Sequence, residues 1–220
     1  ERPASVVKEM VENSIDAGAT AITVEIKNGG ISFIRITDNG KGIAKDDTEI
    51  AFERHATSKI RQASDIETIH SMGFRGEALA SIAAVANVEL ITKTENDEIG
   101  TRLVVEAGKV LEHEEIGCKT GTSITVKNLF FNTPVRYKFL KQDATESKYI
   151  KNWVQKAALA NTNISFGLYI DGKQVFKSTG NGKIEDIIYI LYGKQIQENI
   201  IKVDYKYNNM KVTGVDRKST

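Results

Sequence analysis

The sequence is poor in several features that would mark a secreted or membrane protein. It has one cysteine, Cys118, so no internal disulfide bond can form, and this favours a reducing compartment. It has no apolar run of about 18 residues and no signal-peptide pattern, which argues against membrane insertion and secretion. We therefore predict a cytoplasmic protein without a membrane partner.

The sequence also lacks common metal and phosphate motifs. Its three histidines, His55, His70 and His113, lie far apart without a CxxC or HxxH partner, so a zinc site is not expected. The phosphate-binding pattern GxxxxGK[ST] is missing as well. A nucleotide site in this chain would therefore have to use other residues.

Charge is unevenly distributed along the 220 residues, although the net charge is only +1. Residues 1–100 hold 11 Lys and Arg against 17 Asp and Glu, whereas residues 101–220 hold 19 against 12. Eight basic residues lie between Lys119 and Lys156, where only Asp143 and Glu146 oppose them. Such an excess is typical of a polyanion-binding surface, although a solvated face is its commoner origin.

The pattern of apolar residues predicts an α+β sandwich with mainly antiparallel, hairpin-connected strands. Pro3 and Gly18 bound a first helix, in which Val7, Met10, Val11, Ser14 and Ile15 form one predicted buried stripe. Asn28-Gly29-Gly30 indicates a hairpin. Strands are predicted at 21–26, 31–37, 88–94, 101–106 and 122–127, with a hairpin across 171–172, and helices at 46–55, 78–85, 145–160 and 184–191. We assign residues 1–181 to one domain and 182–220 to the start of a second.

Two residues of the first helix suggest phosphate chemistry. Glu9 and Asn13 lie one turn apart on one side of this helix. A carboxylate in this place could activate water, and an amide oxygen could bind Mg²⁺. A solvated helix face is the ordinary alternative for such a pair.

Two glycine-containing segments suggest where a nucleotide could lie. Asp38 ends a predicted strand and precedes Gly40 and Gly42, which could approach a flat base because they carry no side chain. An ionised Asp only accepts hydrogen bonds, so it favours the amine of adenine over the oxygen of guanine. The segment 73–76, Gly-Phe-Arg-Gly, precedes a helix and could bind phosphates through its backbone amides. An Asx turn and a plain helix-entry turn are the alternatives.

The ordered motifs resemble those of the MutL family of DNA mismatch repair ATPases, a branch of the GHKL superfamily. The matching segments are ERPASVVKE at 1–9, ENS at 12–14, DAGA at 16–19, DNGKGI at 38–43, RHATSKI at 54–60, GFRGEALASI at 73–82 and NLFFNTPVRYKFL at 128–140. The resemblance implies a Bergerat-type α/β sandwich, followed by the start of a ribosomal-protein-S5-like domain. It covers nearly all of residues 1–180.

The resemblance also implies a role for individual residues. Glu9 corresponds to the general base, Asn13 to the Mg²⁺ ligand and Asp38 to the residue that binds adenine. The other implied nucleotide contacts are Ala17, Gly40, Gly42, Ile43 and Thr122, the lid residues Thr57, Ser58 and Lys59, and the phosphate-binding segment Gly73, Phe74, Arg75, Gly76, Glu77, Ala78 and Leu79.

The implied function is slow hydrolysis of ATP with Mg²⁺, which drives homodimer formation and links mismatch sensors to downstream repair proteins. DNA is an implied partner through the basic surface after residue 119. Because the sequence lacks the family's first segment and its second-domain lysine, we expect it to bind ATP better than it hydrolyses it and to dimerise weakly. Another GHKL branch and a binding scaffold with an inactive site remain the alternatives.

Overall fold

The computed structural model describes residues 2–53, 78–208 and 210–218. Predictions for Thr57, Ser58, Lys59 and the segment 73–77 fall outside these residues. Within the described ranges, no helix is both long enough and apolar enough to cross a bilayer.

The fold is a two-layer sandwich in which helices cover one face of an eight-stranded sheet. The helices are α1 (Pro3–Asp16), α2 (Asp47–Ile50), α3 (Ala78–Ala83), α4 (Pro134–Lys138), α5 (Asp143–Ala160), α6 (Ile184–Tyr192) and α7 (Lys194–Gln197). The strands of the sheet are β1 (Ala21–Lys27), β2 (Phe33–Asp38), β3 (Asn87–Lys93), β4 (Gly100–Glu106), β5 (Lys109–Ile116), β6 (Gly121–Lys127), β7 (Ser165–Ile170) and β8 (Lys173–Lys177). Their order is β5-β4-β3-β6-β2-β1-β7-β8, which confirms the predicted α+β class.

The core lies between the helices and alternate residues of the strands. In β2, Ile34 and Ile36 are buried, whereas Arg35 points to the polar face and pairs with Glu25 of β1. Helix α1 buries most of the stripe predicted from its sequence, including Val7, Met10 and Val11, and only Ile15 of that stripe is partly buried. The apolar periodicity therefore identifies correctly which side of α1 and β2 is internal.

The observed elements differ from the predicted ones in four respects. Strand β5 was not predicted, because its residues are almost all exposed and show no alternation of burial. Helix α2 is shorter than the predicted 46–55, and α4 was not predicted. Strands β1 and β7 pair in parallel, unlike the other neighbours in the sheet, and the long connection between them ends with α5, which leads into β7.

The chain continues after the large sheet into α6, α7 and a hairpin of β9 (Ile200–Tyr207) and β10 (Met210–Arg217), which forms its own two-stranded sheet. Helix α6 buries Ile187 and Ile188 and contacts α5. That residues 182–220 begin a second domain remains a prediction.

Candidate functional site

A row of polar residues lies at one end of the sheet, on the face that is otherwise apolar. Asp38 of β2 pairs with Thr122 of β6, Thr122 pairs with Thr92 of β3, and Thr92 pairs with Thr101 of β4. The residues two positions further into these strands are apolar and buried: Ile36, Ile124, Leu90 and Leu103. Because directly opposed residues share a face, the polar row faces the helices and provides hydrogen-bonding groups at the rim of the core.

The carboxylate of Asp38 is held by two donors from different parts of the chain. The hydroxyl of Ser14, on α1, donates to Oδ2 at 2.6 Å, and the backbone N–H of Gly40 donates to Oδ1 at 2.8 Å. Each carboxylate oxygen can accept more than one hydrogen bond, so Asp38 keeps acceptor capacity for a ligand. Its partial burial leaves it accessible.

Gly40 and Gly42 are required by chain packing as well as by any ligand. A Cβ at position 40 would lie 2.9 Å from the carbonyl oxygen of Ala17 and 3.0 Å from its Cβ. Gly42 has φ of +73°, and a Cβ there would lie 2.1 Å from the carbonyl oxygen of Lys93. The two glycines therefore let the loop after β2 pass close to α1 and β3.

Thr92 is a residue of this region that the sequence did not single out. Its hydroxyl accepts from the N–H of Ile43 at 2.9 Å, donates to the carbonyl of Gly121 at 3.0 Å and lies 3.2 Å from the hydroxyl of Thr122. Thr92 is 1% exposed, so its bonds join the loop after β2 to β3 and β6 in the interior. A polar residue at a core-facing position of an alternating strand is the signal that could have identified it.

Ser14 was also not predicted to act on Asp38. Its position in the buried stripe of α1 suggested a packing role, and it is indeed 4% exposed. However, a buried hydroxyl needs a hydrogen-bond partner. The hydroxyl of Ser14 lies 3.2 Å from the carbonyl oxygen of Met10 in its own helix, but its shorter bond, of 2.6 Å, goes to Asp38 of β2. The bond connects the helix that carries Glu9 and Asn13 to the polar row.

Glu9 and Asn13 lie on α1 with their side chains only partly buried. The Glu9 side chain is 43% exposed, and its Oε1 lies 3.6 Å from Nζ of Lys8. Lys8 donates a shorter bond of 2.8 Å to Glu12, which raises the pKa of Lys8. Water therefore has access to the Glu9 carboxylate, while the nearby cation is bound mainly to Glu12.

The side-chain amide of Asn13 makes no hydrogen bond to the described residues, so its oxygen is free to act as a ligand. The described residues as a whole contain no group of three or more His, Cys, Asp or Glu suited to hold a metal ion. A Mg²⁺ ion often takes few protein ligands, with water and phosphate oxygens completing its shell. Asn13 fits that mode of binding.

The structure thus brings Ala17, Asp38, Gly40, Gly42, Ile43 and Thr122 into one region beside α1. Ala78 and Leu79 begin α3, which contacts α1, and Leu79 packs against the core. The remaining predicted residues, 57–59 and 73–77, lie outside the described ranges.

Within the basic excess predicted after residue 119, we define the basic surface by four lysines on α4, α5 and the segment between them: Lys138, Lys141, Lys148 and Lys151. The first three are exposed and Lys151 is partly buried. Glu146, which the sequence suggested would oppose this charge, is 1% exposed and pairs with Arg2. Burial therefore removes one of the two acidic groups counted in this region and leaves the surface more basic than the sequence indicates.

Residues 1–132 match the family described as histidine kinase-, DNA gyrase B-, and HSP90-like ATPase. The chain is 55% identical over 214 residues to the DNA mismatch repair protein MutL of Agathobacter rectalis, covering 97% of this chain and 33% of that protein. It is 53% identical over 219 residues to MutL of Caldanaerobacter subterraneus subsp. tengcongensis, covering 100% of this chain and 37% of that protein. The chain thus spans about a third of the length of these curated relatives.

A solved MutL structure is also similar to this chain. The Aquifex aeolicus MutL ATPase domain complexed with ADP is 31% identical, with a TM-score of 0.73, covering 93% of this chain and 72% of that one. The sandwich fold expected from the sequence motifs is confirmed by this likeness.

Proposed function

The chain belongs to the histidine kinase-, DNA gyrase B- and HSP90-like ATPase family, in its MutL branch, and on this basis we propose that it binds and hydrolyses ATP beside α1. The observation that carries the proposal is the position of Asp38. Its carboxylate is held by Ser14 and Gly40 and still has capacity to accept a hydrogen bond.

Asp38 selects the base in this proposal. Its ionised carboxylate accepts a hydrogen bond from the exocyclic amine of adenine, whereas guanine places an oxygen at the corresponding position. The two donors that hold Asp38 reduce the ordering cost of binding, because the acceptor is oriented before the ligand arrives. Thr122, paired with Asp38 across the strands, adds a hydroxyl on the same face.

Glu9 and Asn13 serve the phosphates. Asn13 would hold Mg²⁺ through its amide oxygen, and the ion would supply positive charge to the phosphate oxygens when bound. Glu9 accepts a proton from the attacking water, which its exposed carboxylate can reach. Ala78 and Leu79, together with residues 57–59 and 73–77, complete the proposed nucleotide contacts.

The test replaces Asp38 by Asn, which keeps the size of the side chain but removes its charge. We expect Asp38→Asn to weaken Mg-ATP binding, measured by titration calorimetry, by at least about tenfold, the cost of losing a hydrogen bond to a charged group. Asp171→Asn is the matched control, because Asp171 accepts a backbone hydrogen bond from Asn28 at the opposite end of the sheet.

Equal ATP affinity in the wild-type chain and the Asp38→Asn variant would contradict the role of Asp38. A wild-type chain that binds no Mg-ATP at all would instead favour the alternative of a scaffold with an inactive nucleotide site.

The wider role that we propose belongs to a longer protein. In that role ATP drives homodimer formation, slow hydrolysis resets it, and the dimer connects a mismatch sensor to downstream repair proteins. Residues 182–220 begin the S5-like domain, a division supported by the separate β9–β10 sheet. A cytoplasmic location is a further part of this proposal.

DNA binds to the basic surface in this proposal. Phosphate contacts release counterions, so the affinity of the chain for a duplex oligonucleotide should fall steeply as salt is raised. An affinity that does not respond to salt would contradict binding through these lysines.

A further inference from the structure

A buried carboxylate joins the start of helix α1 to the basic surface. Glu146, in the first turn of α5, is 1% exposed. Its Oε1 accepts from Nη2 of Arg2 at 2.9 Å and from the backbone N–H of Lys141 at 3.1 Å, and its Oε2 accepts from Nε of Arg2 at 3.3 Å. One carboxylate thus satisfies donors from two separate segments.

Arg2 connects this carboxylate to the beginning of α1. Its carbonyl oxygen accepts from the N–H groups of Ser5 and Val6, so it forms the N-cap of the helix. Its guanidinium lies 3.9 Å from the centre of the Tyr149 ring, and the hydrogen bond to Glu146 raises the pKa of Arg2. The guanidinium is therefore held on α5 by both charge and stacking.

Lys141 connects the same carboxylate to the basic surface. It lies in the short segment between α4 and α5, and its own side chain belongs to that surface. Its backbone N–H donates to Glu146, so a displacement of this segment changes the hydrogen bonding of a buried anion. A buried charge that loses a partner is costly, and the cost is relieved only if its other partners move as well.

We propose that Glu146 is a positioning residue that couples polyanion binding at the basic surface to the placement of helix α1. The inference rests on the proposed function for both ligands. Helix α1 carries Glu9, Asn13 and Ser14 over its 14 residues, so movement of its N-cap is transmitted to all three. Glu146 touches neither nucleotide nor DNA in this scheme.

The test measures the coupling between two ligands and does not require hydrolysis. The Kd for Mg-ATP is determined by calorimetry with and without a saturating duplex oligonucleotide at low salt. Linkage requires that ATP change the Kd for DNA by the same factor. We expect a factor of about five in the wild-type chain, at the lower end of usual couplings.

Glu146→Gln is the main variant, because an amide of the same size still accepts from Lys141 but no longer pairs as an ion with Arg2. We expect its coupling factor to fall to about one while both separate affinities stay within about twofold of wild type. Arg2→Lys keeps the charge but loses the two-point bond, so it provides a second, milder variant should Glu146→Gln fail to fold. Glu89→Gln is the control, because it removes one carboxylate from Arg102 on the other face of the sheet.

Two results would overturn the inference: a wild-type coupling factor of one, or a Glu146→Gln or Arg2→Lys variant that keeps the wild-type factor. Both are distinct from failure of the proposed function, in which the wild-type chain would bind no ATP or no DNA. That failure would remove the inference as well.

Discussion

Removal of the Ser14 hydroxyl tests how the Asp38 carboxylate is prepared for a nucleotide. Ser14→Ala deletes the 2.6 Å bond to Oδ2 and leaves the bond from Gly40 to Oδ1. With one donor left, the carboxylate can turn, and the cost of ordering it is transferred to ligand binding. Ordering one side chain costs about 0.5–1.5 kcal/mol, so we expect the Kd for Mg-ATP to rise roughly 2- to 12-fold.

The same substitution also affects stability, and this must be separated from the effect on binding. Losing one hydrogen bond at a buried site costs about 1 kcal/mol. Ser178→Ala is a matched control, because Ser178 is fully buried and its hydroxyl accepts from the N–H of Phe166 at 2.9 Å, two strands away from Asp38. Both variants should unfold at lower urea concentration than wild type, and only Ser14→Ala should bind ATP more weakly.

Calorimetry on the two variants tests whether the Ser14 hydroxyl orients Asp38 for Mg-ATP. If Ser14→Ala binds Mg-ATP with wild-type affinity, the hydroxyl does not prepare Asp38, and the connection between α1 and β2 is only structural. If Ser178→Ala weakens Mg-ATP binding as much as Ser14→Ala does, the weaker binding comes from lost stability. That result would also contradict a role of the Ser14 hydroxyl in orienting Asp38.

Two further predictions concern stability. Gly42→Ala should lower the free energy of unfolding in urea by about 2 kcal/mol or more, because the residue has φ of +73° and its Cβ would clash with Lys93, whereas Gly117→Ala, which meets open space, should change little. The hydrogen bond from Lys202 lowers the pKa of Glu185. Its stabilising effect is therefore complete above the unfolded pKa of about 4.3 and is lost as the pH falls through the lower folded pKa. Urea unfolding of Glu185→Gln between pH 7 and pH 3 should depend less on pH than that of wild type, and an identical dependence would contradict the assignment.

The sequence allows much of the framework to be predicted because periodicity reflects burial directly. The stripe of α1, the alternation in β2 and the turn at Asp171-Gly172 all lie where local patterns indicate. Strand β5 escapes prediction because it is an edge strand whose residues are nearly all exposed, so burial leaves no pattern in it. The parallel pairing of β1 with β7 is equally invisible, because it joins segments more than 130 residues apart.

In the candidate site, too, some features follow from the sequence and others only from the tertiary structure. Residue type and order along the chain lead to the prediction of Glu9, Asn13, Asp38 and the glycines after it, and their roles in nucleotide binding stay a prediction. Only the tertiary structure decides which groups hold them: Ser14 reaches Asp38 from another element, and Thr92 joins three segments. It also decides that Glu146 is buried against Arg2, 144 residues away, although the sequence suggests a surface acid. A hydrogen bond depends on distance in space, and that distance is determined when the helices pack on the sheet.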